Sequence, residues 1–445
     1  MIRHSLCVLP LWALMTGCIA PQNYHQKRSL FHYDYRTAGT SYSPGYFAPS
    51  EADLAFLEFD SRGLMYRDGN NNKAQLQAIL SRIAALRHSG PSGAERPITV
   101  LVFVHGWKNN ASEDSGNVWG FRRVLSDVAA ATSGSQPQPT LGIYIGWPGD
   151  AVRVGKFFSF WNREPVADAV GAGDLPDALE QILRATKNDD YAGLSTALLV
   201  GHSFGGLVME RAATRILDHY LDTHPGQSGL AAPADLIVLL NEAGAAGIGV
   251  PFMKRLDAEK LVYSRSGDHP LPLLVSMTSV GDVATKLAYP GGEFVGLSTR
   301  PKTEPLPPGE VFGQKTTLAY NLQTAANMGV LQSHRLVLLD SSKPQNCLWQ
   351  VPVSQGPTYC LQQIPEARNK TPYWVMQLPQ LFVPDHSTIF QHELIGLLAT
   401  FVDQSTALIP VMPRPRGRFS LNDISRTPAK SAATSEPRPV LRRVP

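Results

Sequence analysis

An uncharged run, Ser195-Thr-Ala-Leu-Leu-Val200, leads straight into Gly201-His202-Ser203-Phe204-Gly205, and apolar residues then recur at helical spacing from about Gly205 to Tyr220. No other stretch of the chain restricts the fold as much. A strand this apolar is expected to be buried on both faces. A chain that turns from such a strand into a helix within one pentapeptide needs room where the two meet, and Gly201 and Gly205 leave that room by having no side chain. Ser203 between them is driven into a strained backbone conformation that holds its hydroxyl up at the carboxyl edge of the sheet. The helix that begins there points its free N–H groups at whatever negative charge develops beside that hydroxyl.

Patterning on either side of this turn extends the same architecture. Ile98 to Val104 is a continuous apolar run rich in β-branched residues, and Leu141-Gly-Ile-Tyr-Ile145, Asp235 to Leu240, Leu271 to Met277 and Tyr373 to Gln377 are further strands. Lys73 to Arg87, Gly120 to Ala131 and Asp174 to Thr186 have apolar residues at helical spacing. Leu54 to Tyr66, with a turn at Ser61-Arg62-Gly63, has the pattern of a β-hairpin. Strands alternating with helices predict an α/β fold with a doubly wound, mostly parallel sheet and an irregular insertion before the last strand. The ordered domain is expected over 52–409, with that insertion at about 288–369, where Pro and Gly are frequent and the alternation fails. Residues 18–51 have the composition of a tether or an irregular wrap, and 410–445 that of a disordered Pro/Arg-rich tail.

A serine hydroxyl attacks a carbonyl only when a base takes its proton, and in this strand-turn-helix setting the partners follow it in the order acid, then histidine. His386, in a loop beyond the last strand and before a helix starting near Gln391, is the best-placed base. His334 sits before a strand-like segment of the insertion, His392 falls within the final helix, and His202 is fixed in the turn as a packing residue. Asp282 follows the strand ending near Met277 and is the candidate acid, able to hold the imidazole tautomer and stabilise imidazolium. Glu242 is the runner-up, with a partly solvated charge at a strand end as its other reading; Asp268 lies on the wrong edge of its strand, and Asp385 is too close to His386 to orient it. The oxyanion would be held by the backbone N–H groups of Phe204 and Trp107, the latter in His105-Gly106-Trp107-Lys108, where His105 bonds loop carbonyls and Lys108 is solvated or meets an acidic substrate. The set calls for no metal and no organic cofactor.

Arg3, an apolar run from Leu6 to Met15 and Met15-Thr-Gly-Cys18 read as an export signal too short to span a bilayer. The tetrapeptide resembles a bacterial lipobox, which would make 1–17 the signal peptide and Cys18 the lipidated first residue of the mature chain; a simple cleaved signal or an uncleaved anchor is the alternative. Ile19 after it is not the Asp associated with inner-membrane retention, so the expected place is the outer membrane, facing the periplasm. Once Cys7 is removed and Cys18 acylated, Cys347 and Cys360 remain. An oxidising compartment favours a disulfide between them, worth about 3 kcal/mol for a loop of this size; two unrelated buried thiols are the alternative. The formal charge of +3 on 445 residues, with basic and acidic residues interspersed, leaves no footprint for nucleic acid.

Leu57-Glu-Phe-Asp60, Phe103-Val-His-Gly-Trp-Lys108, Ile143-Tyr-Ile-Gly-Trp147, Phe160-Trp161, the Gly201 to Gly205 turn and Asp385-His-Ser387 together resemble a family of bacterial α/β-hydrolase esterases. The resemblance runs from about Leu54 to Phe401 and implies the hydrolase fold with Ser203, Asp282 and His386 as its triad. It names no substrate. Phe157-Phe-Ser-Phe-Trp161 is either an acyl-pocket or lipid-contacting cap or an aromatic cluster of the core. The function expected is hydrolysis of a carboxylic ester through an acyl-enzyme. A lipase or phospholipase acting on envelope lipids is the nearest alternative, and a non-catalytic binding scaffold is the alternative of another class.

Overall fold

In the computed structural model, the residues described are 23–34, 51–131, 138–150, 159–188, 195–224, 232–265, 269–291, 317–340, 342, 345–353, 356–405 and 439–443. The signal segment with Cys18, Phe157, Asp268 and most of the tail lie outside them, and the side chains of Phe160 and Trp161 are likewise not described. The strands are β1 (Leu30–Asp34), β2 (Glu51–Glu58), β3 (Thr99–Val104), β4 (Thr140–Gly146), β5 (Thr196–His202), β6 (Leu236–Leu240), β7 (Leu261–Arg265), β8 (His269–Pro270), β9 (Leu274–Ser279), β10 (His334–Leu338), β11 (Trp349–Val351), β12 (Tyr359–Gln363), β13 (Tyr373–Leu378) and β14 (Pro439–Arg443). The helices are α1 (Ala74–Arg87), α2 (Gly116–Ala131), α3 (Ser159–Ala172), α4 (Leu175–Lys187), α5 (Phe204–Thr223), α6 (Val250–Ala258), α7 (Thr317–Leu322) and α8 (His392–Ser405).

An 8-stranded sheet in the order β1-β2-β4-β3-β5-β6-β9-β13 forms the centre of this α/β fold. It is parallel throughout except for β1, which runs antiparallel to β2. Every residue of β3 is buried, because helices cover both faces. Over one face, rings from three strands (Phe56, Phe103 and Tyr144) pack with Phe121 of α2 and with Phe390, just before α8. α5 lies on the other face, with α3 and α4 packed against it and α1 against α4. The register aligns the strand ends: Glu58 pairs with Gly146, and Val104 pairs with both Ile145 and Gly201. The loops after β2, β4, β3 and β5 therefore leave the sheet along one edge.

Three expectations sharpen or change. Residues 23–34, read within a tether or an irregular wrap, are packed on the body. Glu58, buried at the end of β2, accepts the main-chain N–H groups of Tyr24 and His25 at 2.9 Å each, and Gln75 of α1 also donates to it. The His25 ring stacks on Phe56 with centroids 3.6 Å apart, and β1 follows immediately. The signal for docking was the acidic residue closing an apolar strand, whose carboxylate needs donors once buried. The hairpin shrinks to one bridge between Phe59 and Met65 around a turn closed by Asp60, since β2 spends its main-chain bonds on β1 and β4. Within the tail, the described residues Pro439–Arg443 form a strand, β14, whose main chain pairs with β7, itself paired with β8.

The insertion has its own small sheet, β10-β12-β11, with Cys347 and Cys360 joined in a disulfide across it. It docks beside β13, the last strand of the main sheet, through Ser333 N–H to the Val375 carbonyl at 2.9 Å and Val375 N–H to Ser333 Oγ at 3.0 Å. His334 stacks on Trp374 at 3.7 Å, with Trp349 on the same indole. No helix of the described residues is long and apolar enough to cross a membrane. Replacing Glu58 by Ala removes the carboxylate acceptor of the Tyr24 and His25 N–H groups and one acceptor of Gln75 Nε2, an expected cost of about 1–3 kcal/mol. A urea midpoint lowered accordingly, with new protease cuts within residues 23–34, is the outcome to look for, and an unchanged midpoint contradicts the docking role.

Candidate active site

β5 ends at His202 and α5 begins at Phe204, so Ser203 alone makes the turn, at φ 57° and ψ −125°. That conformation costs about 1–3 kcal/mol unless the surroundings fix it. They do so through close backbone approach. A Cβ on Gly205 would stand 2.2 Å from the Val104 carbonyl oxygen, and one on Gly201 would stand 2.3 Å from that of Gly205. Ser203 N–H bonds the Leu240 carbonyl at 3.0 Å, and its own carbonyl accepts the N–H of Gly206 and of Ala243.

Above this turn the structure brings together Ser203, Asp282 and His386. Ser203 Oγ is 2.8 Å from His386 Nε2, and His386 Nδ1 is 2.9 Å from Asp282 Oδ2. Asp282, buried after β9, also accepts the main-chain N–H of Thr285 at 3.1 Å and its hydroxyl at 2.8 Å. Burial pushes the Asp282 carboxyl up, but the bonds from His386 and Thr285 outweigh it and hold the group below the usual carboxylate value. The acid is thus ionised where it faces the imidazole.

The loop of Gly106 and Trp107 closes on the serine from the side of β3. A Cβ on Gly106 would be 2.7 Å from that of Ser203, an approach only glycine permits. Lys108 takes a φ of 65° as its N–H reaches the Gly149 carbonyl, its Nζ lying 4.0 Å over the Trp107 ring. His105 fastens this loop to the one after β4. Its Nδ1 donates to the Gly106 carbonyl at 2.9 Å, its Nε2 accepts Trp147 N–H at 3.2 Å, and the Trp147 indole N–H returns to the His105 carbonyl at 2.8 Å. Burial lowers the His105 pKa to about 4, so the ring stays neutral and can accept. Phe204, the first residue of α5, is buried.

Of the rival residues, His334 is buried against Trp374, and burial lowers its pKa to about 3. His392 is exposed beside Asp127. Asp385 turns back to cap its own loop, accepting N–H groups from Ser387 and Thr388. Two residues that sequence reasoning undervalued hold the histidine loop. His202 Nε2 donates to the His386 carbonyl at 2.7 Å, and burial, then the neighbouring His386, lowers its pKa to about 3. Asn241, fully buried at the end of β6, donates to the carbonyls of Asp385 and His386 at 3.1 Å each and accepts Ser279 N–H at 2.9 Å. A polar residue closing the run Leu236 to Leu240 was the available signal.

Glu242 itself is buried under α5, apart from His386, where it pairs with Glu210. Burial raises both carboxyls, and Glu210 raises Glu242 further, well above the usual value, while the Tyr373 hydroxyl bonds Glu210, Ser276 bonds Glu242 and Arg211 acts on Glu210 from its own helix. The folded pair keeps protons that the unfolded chain releases near the ordinary carboxylate value of about 4.3. Stability is therefore expected to be whole below that pH and to decline as pH rises toward the raised folded values. Urea midpoints from pH 5 to 9 should fall less steeply in Glu242→Gln than in the wild type; parallel curves would remove the pair from the account. No family model, curated protein or solved structure matches the chain.

Proposed function

We propose that the chain is a serine hydrolase of the α/β-hydrolase fold, cleaving carboxylic esters from a position anchored in a bacterial envelope, with Ser203, His386 and Asp282 as its triad. The observation that carries the reading is the unbroken bond chain from Ser203 Oγ through both nitrogens of His386 to Asp282, at 2.8 and 2.9 Å. The strand order supports the fold assignment, because it leaves the nucleophile, acid and histidine loops at one edge in the order the resemblance implies.

Neutral His386 takes the hydroxyl proton at Nε2 while Ser203 Oγ forms a bond to the substrate carbonyl carbon. The carbonyl electrons move onto oxygen, which the N–H groups of Trp107 and Phe204 receive. Asp282 stays ionised and faces the imidazolium through Nδ1. As the tetrahedral species collapses, the ester C–O bond breaks and the imidazolium proton passes to the leaving alkoxide, giving an alcohol and an acyl-serine. Water then attacks the acyl carbon, losing a proton to His386 Nε2; collapse returns that proton to Ser203 and releases the carboxylic acid. Asn241 and His202 act from behind, since three hydrogen bonds to the backbone of Asp385 and His386 fix where the ring stands.

A fluorophosphonate probe is expected to label the wild type, to fail on Ser203→Ala and His386→Ala, and to label His334→Ala normally. An unlabelled wild type, or labelling that survives Ser203→Ala, would falsify the enzyme reading and leave a binding scaffold. Asp282→Asn, which reverses the imidazole tautomer, should lower kcat by about 10³–10⁴. Asn241→Ala, which loosens the ring's support, should lower kcat by up to about 10² with KM little changed; steady-state kinetics on a soluble ester separates these, and a KM effect alone would contradict a positioning role.

A further inference from the structure

We propose that the sheet edge bearing Ser203 is held face-on to a lipid surface, so that the esters cleaved are those of lipids in the layer that anchors the chain. The inference rests on the hydrolase reading and on acylation of Cys18, and it deepens both by naming where the substrate lies.

The first support is the length of the leash. The main-chain N–H groups of Tyr24 and His25 are pinned to the carboxylate of Glu58. From Cys18 to Tyr24 there are six residue steps. Fully extended, they reach at most about 22 Å. Glu58 stands at the end of β2 in register with Gly146, and β4 and β3 separate it from β5, so it lies about 14 Å along the edge from the Ser203 turn at the usual strand spacing. A domain of this length has a radius of gyration of about 20 Å and so measures about 50 Å across. A leash of less than half that span cannot carry the opposite pole to the membrane. It can only bring down the half of the molecule that bears the site.

The second support is independent of the first and lies on the other side of Ser203. Val280, Val283 and Leu287, in the segment after β9, are 48%, 62% and 67% exposed, and Leu381, after β13, is 41% exposed. The two segments touch: Val280 N–H bonds the Leu378 carbonyl, and a Cβ on Gly281 would meet the side chain of Gln380 and the Pro384 carbonyl. This apolar group frames Asp282 and the loop carrying His386, on the same edge as Glu58. Lys286 lies exposed within it, placed to meet anionic headgroups. In the strand order, β2 is on one side of β5, and β9 and β13 are on the other. A flat surface that meets both the leash and the apolar group must therefore pass over the mouth of the site. An apolar group in this position fits acyl chains rather than water.

The test uses the full chain, matured in a bacterial host and reconstituted in vesicles of equal parts phosphatidylethanolamine and phosphatidylglycerol. A fluorophore on Val283→Cys should transfer energy to an acceptor lipid at least twice as well as one on Ser89→Cys, which lies between α1 and β3 at the opposite edge. Equal or reversed transfer overturns the proposal, as does a mature chain without acyl groups on Cys18. Inserting a Gly/Ser linker of about twenty residues between Ala20 and Pro21 should lower hydrolysis of a vesicle-embedded ester by about tenfold while a water-soluble butyrate ester is cleaved as before. An unchanged rate on the embedded ester overturns the leash. A wild type that cleaves neither ester counts against the hydrolase reading alone, since the energy-transfer comparison still decides the orientation.

Discussion

The backbone of Ser203 is the constraint on which the rest of the molecule depends. A residue at φ 57° and ψ −125° does not stay there by its own preference. It is held because β5 and α5 must pack at a distance that only glycines at 201 and 205 permit, and because Gly106 lets the loop after β3 come down beside it. Given that turn, the hydroxyl faces out of the carboxyl edge and the amino end of α5 lies beneath. The loops that leave the same edge are then the only ones that can supply partners.

Those partners come from distant parts of the chain, and hydrogen bonds between side chains and backbone groups tie their loops together. Asn241 directly follows β6, Ser279 belongs to β9 and the accepting carbonyls to the His386 loop, so one buried amide ties three segments together. Ser279 adds a second tie, its hydroxyl bonding the Val383 carbonyl. His202 serves the same loop as a donor, its pKa lowered to about 3 by burial and then by the neighbouring His386. An imidazole held in this way pays little entropy to meet the serine.

How much of this was legible follows from the kind of signal each part leaves. Strands such as Ile98 to Val104 and helices such as Lys73 to Arg87 were readable because burial on two faces or one writes a strong apolar pattern. Ser203, Asp282 and His386 were readable because chain order and strand ends confine the search. Asn241 and Glu58 were only half legible: a polar residue closing an apolar strand marks each, but their partners are main-chain groups far away in sequence, and such groups leave no trace in residue identity. The same reason hid β1 and β14, whose existence depends on finding an open or receptive strand edge. Glu242 shows the converse: a charge at a strand end suggested a partly solvated group, while in space it lies buried beneath α5 beside Glu210.

Asp282 and His386 are 104 residues apart in sequence, and the insertion with its own sheet and disulfide lies between them. Both ends of that excursion are fastened by Asn241 and Ser279 before it leaves the body. Closing a long loop costs only slightly more than closing a short one. The intervening stretch can therefore lengthen, shorten or change its surface over evolutionary time without moving Asp282 or His386, so variation there leaves the arrangement around Ser203 intact.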